Sequence, residues 1–259
     1  MEESKYTANL TQGLGLIDET LAILELWTPG MSSAQLNEVA LKSGLFSSMT
    51  ARRLRNIVTE VIKSRYLTDE ARPARLIKML VGKFDKRVVS QMMYYYTCLA
   101  NRILFDFVKE VYWPAYSAGR ESVSGEMARR FVQEAVAEGK TTKPWSESVI
   151  RRNAAYLIGA CSDFDLLEDL RSTEKRIKSI TADSNVALII AYRLHLSGLG
   201  NNAVVAHEDW ALFGMDRNDV IETLKRNSIK GGLIVQVAGE AVSISWRYKS
   251  LEELVNGIA

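Results

Sequence analysis

Three arginines lie close together near the start of a predicted helix, where their side chains are suited to binding an anion. Arg52, Arg53 and Arg55 belong to the stretch LFSSMTARRLRNIVTEVIKSRYL, residues 45–67, which reads as a loop followed by a helix over about 49–66. The amino end of a helix carries partial positive charge, so cationic side chains there cost up to about 1 kcal/mol unless an anion offsets them. We therefore expect these arginines to meet a negatively charged partner.

This helix separates into an apolar side and a basic side when it is projected at about 100° per residue. The side chains expected in the core are Leu54, Ile57, Val58, Val61 and Ile62. The opposite side offers donors for phosphate and side chains that can reach base edges, as a recognition helix does in the major groove. The residues expected to contact DNA are Arg52, Arg53, Arg55, Asn56, Thr59 and Lys63. A solvated surface without a ligand is the alternative interpretation of this side.

A shorter helix precedes the arginine-rich one and completes a helix-turn-helix pattern. Ser32 and Gln35 form a capping box at its start, and Gly44 suits its C-terminal cap. A tight turn then leads into the arginine-rich helix. Residues 51–88 carry eleven basic side chains against four acidic ones, a net charge of +7, whereas the whole chain has only +2. The positive charge is thus concentrated in the segment that contains the candidate recognition helix.

A second helix, for which Ser146 is the predicted N-cap by residue type, repeats this arrangement of one apolar and one basic side. Just ahead of it, free amide N–H groups and the helix dipole favour a phosphate. The residues of this second predicted DNA contact are Lys143, Ser146, Ser148, Arg151 and Arg152. Packing of the same face against another helix of the protein is the alternative.

No pattern in the chain is typical of an active site. The stretch EGKTT, residues 138–142, imitates a phosphate-binding loop but lacks its first glycine and a preceding strand. His195 and His207, together with two scattered cysteines, have no metal-ligand spacing. We therefore predict no catalytic residue, no cofactor and no metal ion, so that the protein is not an enzyme.

The expected fold is mainly α: a multi-helical globular protein with helix-turn-helix-like units and a C-terminal β-hairpin around AGE, residues 238–240. We predict an N-terminal helical domain over 1–75, a middle helical domain over 76–170 and a winged-helix-like region over 171–259. Helical spacing predicts that the many aromatic residues of 94–116 form core. The third helix of the last region has nearly balanced charge and is a weaker candidate for nucleic acid.

The cell compartment is predicted from the two cysteines and from the lack of a signal sequence and of a membrane-spanning run. Cys98 and Cys161 lie in apolar helical patterns, as expected for buried thiols in a reducing compartment. The first ten residues have no secretory signal, and the run over 88–101 is too short and too polar to span a bilayer. We therefore expect a cytoplasmic protein without a membrane partner.

The order of several motifs resembles the BrxA family, a core component of bacteriophage exclusion (BREX) systems. The motifs are YTANLTQGLGLIDETLAILELWTPGMS, GLFSSMTARRLRNIVTEVIKSRY, FVKEVYWPAYSAG, KPWSESVIRRNAAYLIGACSDFDLL and HEDWALFGMDRNDVIETLKR with GGLIVQVAGEAVSISWRY. The likeness extends from about Tyr6 to Leu254. It implies a helical antiphage defence protein that is associated with double-stranded DNA, and it supplies no catalytic residues. One departure is Asp165, which stands where a glycine is expected.

Together these observations predict a non-enzymatic, double-stranded DNA-binding component of a BREX system. Its expected partners are duplex DNA and other BREX proteins. A protein-interaction adaptor for the other defence components and a transcriptional regulator of its own operon remain as alternatives. The sequence does not fix the oligomeric state, and a monomer is the expectation.

Overall fold

A computed structural model describes residues 5–8, 16–169 and 174–259. The chain divides into two compact units. The first unit comprises Met1–Lys78 and Met93–Ser179, and the second comprises Met79–Met92 and Ile180–Ala259. The predicted division into three domains at residues 75 and 170 stays a prediction.

The described chain is mainly α-helical, as predicted. Up to residue 100 its α-helices are α1 Ile17–Leu26, α2 Ser33–Lys42, α3 Ala51–Asn56, α4 Lys63–Tyr66, α5 Arg72–Leu80 and α6 Lys86–Ala100. The next are α7 Arg102–Phe107, α8 Trp113–Ser117, α9 Gly125–Ala137 and α10 Glu147–Asp163. The second unit adds α11 Ser184–Leu196, α12 Asn201–Val205, α13 Arg217–Arg226, α14 Ser228–Gly231 and α15 Leu251–Ile258.

Helix α2 begins and ends where its sequence predicts. The Ser32 hydroxyl accepts the Gln35 amide at 3.3 Å, and the Gln35 side chain accepts the Ser32 amide at 2.9 Å, which completes the capping box. Gly44 follows the C-cap residue Ser43 with a φ of 72°, a left-handed conformation that glycine adopts without a Cβ penalty. Local sequence alone therefore fixes both ends of this helix.

The arginine-rich helix is continuous over 51–66 but contains a wider π-helical turn, Ile57–Ile62, between α3 and α4. Thr50 caps its start, because its hydroxyl accepts the Arg53 amide at 3.2 Å. Within the wide turn the Lys63 amide bonds to the Val58 carbonyl, five residues back. A π turn holds more residues than an α turn, so a projection at about 100° per residue does not place Lys63 correctly relative to the arginines. The predicted buried side is nevertheless confirmed for Leu54, Ile57, Val58, Val61 and Ile62.

Aromatic residues of 94–116 form much of the core of the first unit, as predicted, but the prediction is wrong for Tyr116, which is exposed. Tyr94, Tyr95 and Tyr96 on α6 are each at most 5% exposed. The ring of Tyr94 packs against that of Phe164, which follows α10, with ring centroids 5.6 Å apart. Cys98 and Cys161 are both buried thiols, as predicted.

A small antiparallel sheet in the first unit was not predicted. It comprises β1 Ser122–Ser124, β2 Leu167–Asp169 and β3 Glu174–Ile177 in the order β1-β3-β2. Val123 pairs with Lys175, and Glu168 pairs with Arg176. These strands have three or four residues and contain mostly polar side chains, so they lack the apolar alternation that indicates a strand.

The predicted C-terminal hairpin is confirmed in the second unit. Strands β4 Leu233–Ala238 and β5 Ala241–Trp246 pair antiparallel through a turn at Gly239 and Glu240, with Val235 opposite Ile244. The glycine has a φ of 59°, as a tight hairpin turn requires.

Side chains of α12 bond to the free edge of β5. The Val242 amide donates to the Asn202 side chain at 2.9 Å, and the Asn201 side chain donates to the Ile244 carbonyl at 3.4 Å. Asn201 also accepts the indole N–H of Trp246 at 3.0 Å. The hairpin is therefore anchored to the helices of its own unit by side-chain hydrogen bonds as well as by packing.

Candidate nucleic-acid interface

The exposed side of α3 carries cations that no carboxylate neutralises within the part of the chain that the structure describes. Arg52, Arg53 and Arg55 are all exposed, and so is Lys63 at the start of α4. Between residues 16 and 169 these four side chains take part in none of the observed ion pairs. Glu60 is the exposed acidic residue on the same helical run, and it forms no ion pair with them. The predicted basic surface is thus present and accessible.

The two polar members of the predicted contact differ in their surroundings. Asn56 is exposed, so its amide is available as both donor and acceptor. Thr59 is half-buried, and its hydroxyl donates to the Arg55 carbonyl at 2.9 Å. In this arrangement Thr59 has no free donor for a phosphate, so Asn56 and the arginines are the stronger candidates on this face.

Much of the remaining positive charge of residues 51–88 has a structural role. The Lys78 ammonium group donates to the Glu25 carbonyl at 2.9 Å and to the Trp27 carbonyl at 2.5 Å, where it satisfies the carboxyl end of α1. Arg72 contacts carboxylates of the turn before α5, and Lys83 and Arg87 donate to oxygens of the second unit. The net charge of the segment therefore overstates its basic surface.

Arg65 is the basic residue of this helical run that lies inside the protein. It is 6% exposed, and burial lowers the pKa of its guanidinium group, while the nearby groups of Tyr66, Cys98 and Asp163 act in the opposite direction. The sequence contained a signal for this position, because the same projection places Arg65 between Leu54 and Val58 on the apolar side. The burial of Arg65 was nevertheless not predicted.

The amino end of α10 is less favourable to an anion than the sequence indicated. Ser146 occupies the N-cap position, as predicted, but its hydroxyl lies 3.0 Å from that of Ser148 and makes no capping bond. The next residue, Glu147, places a carboxylate in the first turn, where Arg129 of α9 binds it at 2.8 Å. Lys143 is exposed ahead of the helix. A phosphate at this end would meet a carboxylate already in place.

Further along α10, the predicted outward side is exposed and basic. Arg151 and Arg152 are exposed and form no ion pair among the described residues of 16–169 and 174–259. The opposite side is the predicted apolar one. Val149 on it is half-buried, and the buried members are Ile150, Ala154, Leu157, Ala160 and Cys161. Asn153 is also fully buried, and its amide donates to the Val149 carbonyl at 2.9 Å. The two arginines are therefore the accessible cations of the second predicted contact.

Helix α13 of the second unit presents fewer free cations than α3. Arg217 donates to the Glu240 carbonyl at the hairpin turn at 2.8 Å, and Lys225 pairs with Glu222 at 2.9 Å. Asp216 and Asp219 form a capping box at its start. This helix, which precedes α14 and the hairpin, is the weaker candidate for nucleic acid, as its balanced charge predicts.

The histidines have local structural contacts. His195 stacks on Trp246 with ring centroids 4.4 Å apart, and burial lowers its pKa. Neutral His207 caps the 3₁₀ turn Glu208–Phe213, because its Nδ1 accepts the Asp209 amide. The Asp209 carboxylate, 3.3 Å from the same nitrogen, favours the protonated ring and raises the pKa of His207. No group of three or more potential metal ligands occurs among the residues that the structure describes. Within the same residues, no helix is both long and apolar enough to span a membrane.

A family model matches residues 4–193 of the chain, about three quarters of its length, and the family is BrxA. The chain belongs to the BrxA family. The match confirms the resemblance seen in the order of the sequence motifs, and it implies a function associated with bacteriophage exclusion. BrxA is not known as an enzyme family. A search among curated proteins found no match.

The matched region of this BrxA protein contains both basic helices. It includes α3 with its arginines and all of α10, and it ends within α11. The hairpin β4–β5 lies beyond it. The two predicted contacts therefore fall within the part of the chain that defines the family.

Proposed function

We propose that this BrxA protein binds double-stranded DNA as a non-enzymatic component of a BREX antiphage system. The observation that supports this most directly is the row of exposed cations on α3 and α4. These cations are Arg52, Arg53, Arg55 and Lys63. They have no carboxylate partner among the described residues, although the amino end of the helix also carries partial positive charge. Unpaired cations in this arrangement are suited to binding a polyanion such as DNA.

Helices α2 and α3 follow each other in the order of a helix-turn-helix, in which the second helix presents its outer side to the duplex. Helix α2 and its capped turn hold α3 by its buried side, which leaves the basic side outward. Arg side chains bind phosphates and can pair with guanine edges, and the Asn56 amide can pair with adenine. Because arginines dominate the face, phosphate contacts should provide most of the affinity, with weak sequence preference.

A second contact is proposed on α10. Arg151 and Arg152 carry it, with Lys143, Ser146 and Ser148 at the beginning of the helix. The pair between Arg129 and Glu147 makes this end less positive than the middle of the helix. The arginines should therefore contribute more than the residues ahead of them.

A charge-reversal experiment tests the proposal. The triple variant R52E/R53E/R55E should lose binding to a random 24-bp duplex by at least 100-fold at moderate salt, measured by fluorescence anisotropy. All three side chains are exposed, so the variant should keep its circular dichroism spectrum and unfolding midpoint. The matched control is K225E/R226E/K230E, which changes three exposed cations of the second unit by the same total charge. Binding that is unchanged in the first variant, or lost equally in the control, would reject the α3 assignment.

Salt dependence provides an independent readout. If the four cations of α3 and α4 each neutralise one phosphate, the logarithm of the binding constant should fall against the logarithm of salt with a slope of about −3.6 or steeper. The triple variant should have a visibly smaller slope. A preference for one promoter sequence by more than about a thousandfold would instead favour a regulator of its own operon.

An adaptor role is the second candidate, because apolar side chains of the second unit lie exposed. Ile229 on α14 is 97% exposed and Ile234 on β4 is 62% exposed. Other BREX proteins are the proposed partners of such a surface. Pull-down of these proteins after nuclease treatment, with and without I229S/I234S, separates protein contact from contact through DNA.

A further inference from the structure

The outer edge of β4 has backbone groups without partners. The Val242 amide and the Ile244 carbonyl of β5 bind side chains of α12, so both groups point away from β4. Opposite residues of an antiparallel pair that turn such groups away from each other form a non-hydrogen-bonded pair. The residues opposite these two, Val237 and Val235, therefore direct their own amides and carbonyls out of the hairpin. Within the described parts of the chain, no hydrogen-bond partner meets them there.

This edge lacks the features that usually prevent the strands of two molecules from pairing. Strand β4 has the sequence LIVQVA, which contains no charged residue and no proline. Large apolar side chains also lie exposed on and beside it, at Ile229 of α14 and at Ile234 and Val237 of the strand. An uncharged, exposed edge with free backbone donors and acceptors is suited to binding another strand.

The sequence of β4 is symmetric about Gln236, so the strand can pair with a second copy of itself. In an antiparallel arrangement centred on Gln236, Val235 of one copy lies opposite Val237 of the other. These are the residues whose backbone groups point outward, so their hydrogen bonds can form in this register. On the other face of the sheet, the large side chain of Ile234 lies opposite the small one of Ala238.

Charges at the two ends of β4 favour the same arrangement. In this register Glu240 of one copy falls opposite Gly232 of the other, so each turn lies beside the other copy's junction of α14 and β4. Glu240 and Lys230 are exposed, and neither forms an ion pair with any residue of the described ranges. The symmetric arrangement brings Glu240 of each copy towards Lys230 of the other, which gives two complementary charge pairs.

We infer that this protein forms a two-fold symmetric dimer in which β4 pairs antiparallel with β4 of a second copy. The two hairpins then form one four-stranded sheet with Gln236 at its axis. A second copy fits this edge better than a strand of another protein, because β4 and the charges at its two ends are complementary to themselves. The inference does not rest on the proposed DNA binding, and it differs from the monomer expected from the sequence.

Disulfide trapping tests the position of the axis. The two Gln236 residues of the dimer form a non-hydrogen-bonded pair with Cα atoms about 4.5 Å apart, within the range of about 4.4 to 6.8 Å for a disulfide. Under mild oxidation Q236C should cross-link at least about 10-fold faster than S243C, because the dimer holds its two thiols at a high effective concentration. Ser243 is the matched control, since it lies exposed opposite Gln236 on β5 but away from the axis. The native thiols of Cys98 and Cys161 are buried.

Sedimentation equilibrium provides a second readout on the chain without added cysteines. The mass should rise from that of the monomer, 29.0 kDa, towards twice this value between about 2 and about 200 µM. E240K and K230E should each raise the dissociation constant of the dimer by at least about 5-fold, because each creates two like-charge pairs. The double variant K230E/E240K should restore it. Circular dichroism checks that each variant is folded.

Either of two results would overturn the inference. One is a wild-type mass that stays at that of the monomer up to about 200 µM, with Q236C and S243C cross-linking at equal rates. The other is a dimer whose dissociation constant neither E240K nor K230E changes, which would mean that the two copies meet at another surface. Both results would leave the proposed DNA binding standing, because its cations lie in the first unit.

Discussion

The guanidinium group of Arg129 on α9 binds the carboxylate of Glu147 in the first turn of α10, with distances of 2.8 Å from Nη2 and 3.0 Å from Nε to the same oxygen. This contact joins two helices and gives the helix dipole of α10 a negative partner. It also puts a negative charge beside the cations proposed to bind phosphate. The Glu147 carboxylate is therefore expected to stabilise the fold and to weaken DNA binding.

The variant E147Q should bind DNA more tightly than wild type. It removes one negative charge from the proposed contact and breaks the Arg129–Glu147 pair, while Arg129 keeps its contact with Glu126 at 3.6 Å. A unit charge at about 4 Å contributes about 1 kcal/mol in water, so we expect an increase of about fivefold in affinity for a 24-bp duplex, measured by anisotropy. E222Q is the control, because Glu222 also pairs with a cation, Lys225, but belongs to α13. Unchanged or weaker binding by E147Q would contradict a contact at this helix.

Replacement of Asp165 by glycine should stabilise the protein. Asp165 has a φ of 64°, and it ends α10 in a Schellman motif, with the Asp165 amide bonded to the Ser162 carbonyl and the Leu166 amide to the Cys161 carbonyl at 3.1 and 2.8 Å. Glycine adopts this conformation without a Cβ penalty, so we expect a gain of about 0.5 to 1 kcal/mol in the free energy of unfolding in urea.

A control separates the backbone effect from the loss of charge, since Asp165 also pairs with Lys178 on the surface. D165N removes that ion pair and keeps a side chain. It should change stability little, because exposed ion pairs contribute little. A destabilised D165G would show that the ion pair outweighs the backbone strain.

Tyr6 should stabilise the first unit through a buried hydrogen bond. Its hydroxyl donates to the Asp106 carboxylate at 2.7 Å, and Arg102 binds the same carboxylate at 2.9 and 3.0 Å. Y6F should lower the free energy of unfolding by about 1.5 to 3 kcal/mol, the range for hydrogen bonds to charged groups. Y116F is the matched control at an exposed tyrosine. Equal stability of Y6F and wild type would mean that this bond contributes nothing.

His207 should make stability depend on pH. Its hydrogen bond with Asp209 raises its pKa in the folded protein. A raised pKa contributes stability that is complete below the unfolded value of about 6.5 and is lost as pH rises through the folded value. The stability difference between wild type and H207N should therefore shrink from pH 5.5 to pH 9, because asparagine keeps an N-cap acceptor without titrating. A constant difference across these pH values would refute the assignment.

The parts of this fold that sequence predicted are those with local causes. The capping box at Ser32, the turn at Gly239 and the buried side of α3 follow from side chains within a few residues of one another. The π turn over Ile57–Ile62 is not indicated by neighbouring residue types. Packing decides whether an amide there bonds to the carbonyl four or five residues before it. The sheet β1-β3-β2 pairs residues 122–124 with 174–176, about fifty residues apart, and its polar strands carry no apolar alternation.

The same distinction applies to the candidate interface. Exposure of Arg52, Arg53 and Arg55 was predictable from helical periodicity. The pairing of Arg129 with Glu147 depends on how α9 packs on α10, and the sequence contains no signal for it. Charge counted along the sequence therefore located the segment of α3, and helical projection located the basic side of α10, but neither could show which cations have partners.

The hydrogen bonds from Asn201 and Asn202 to β5 limit how the hairpin can grow. The Val242 amide and the Ile244 carbonyl already have partners within the same unit, so an incoming strand finds no free ladder on that side. The sheet can be extended only at the β4 edge. If a second copy of the protein paired there through its own β4, its β5 would become the new outer strand, and that strand is blocked in the same way. Assembly through this hairpin would therefore stop at a pair and could not propagate into a fibre.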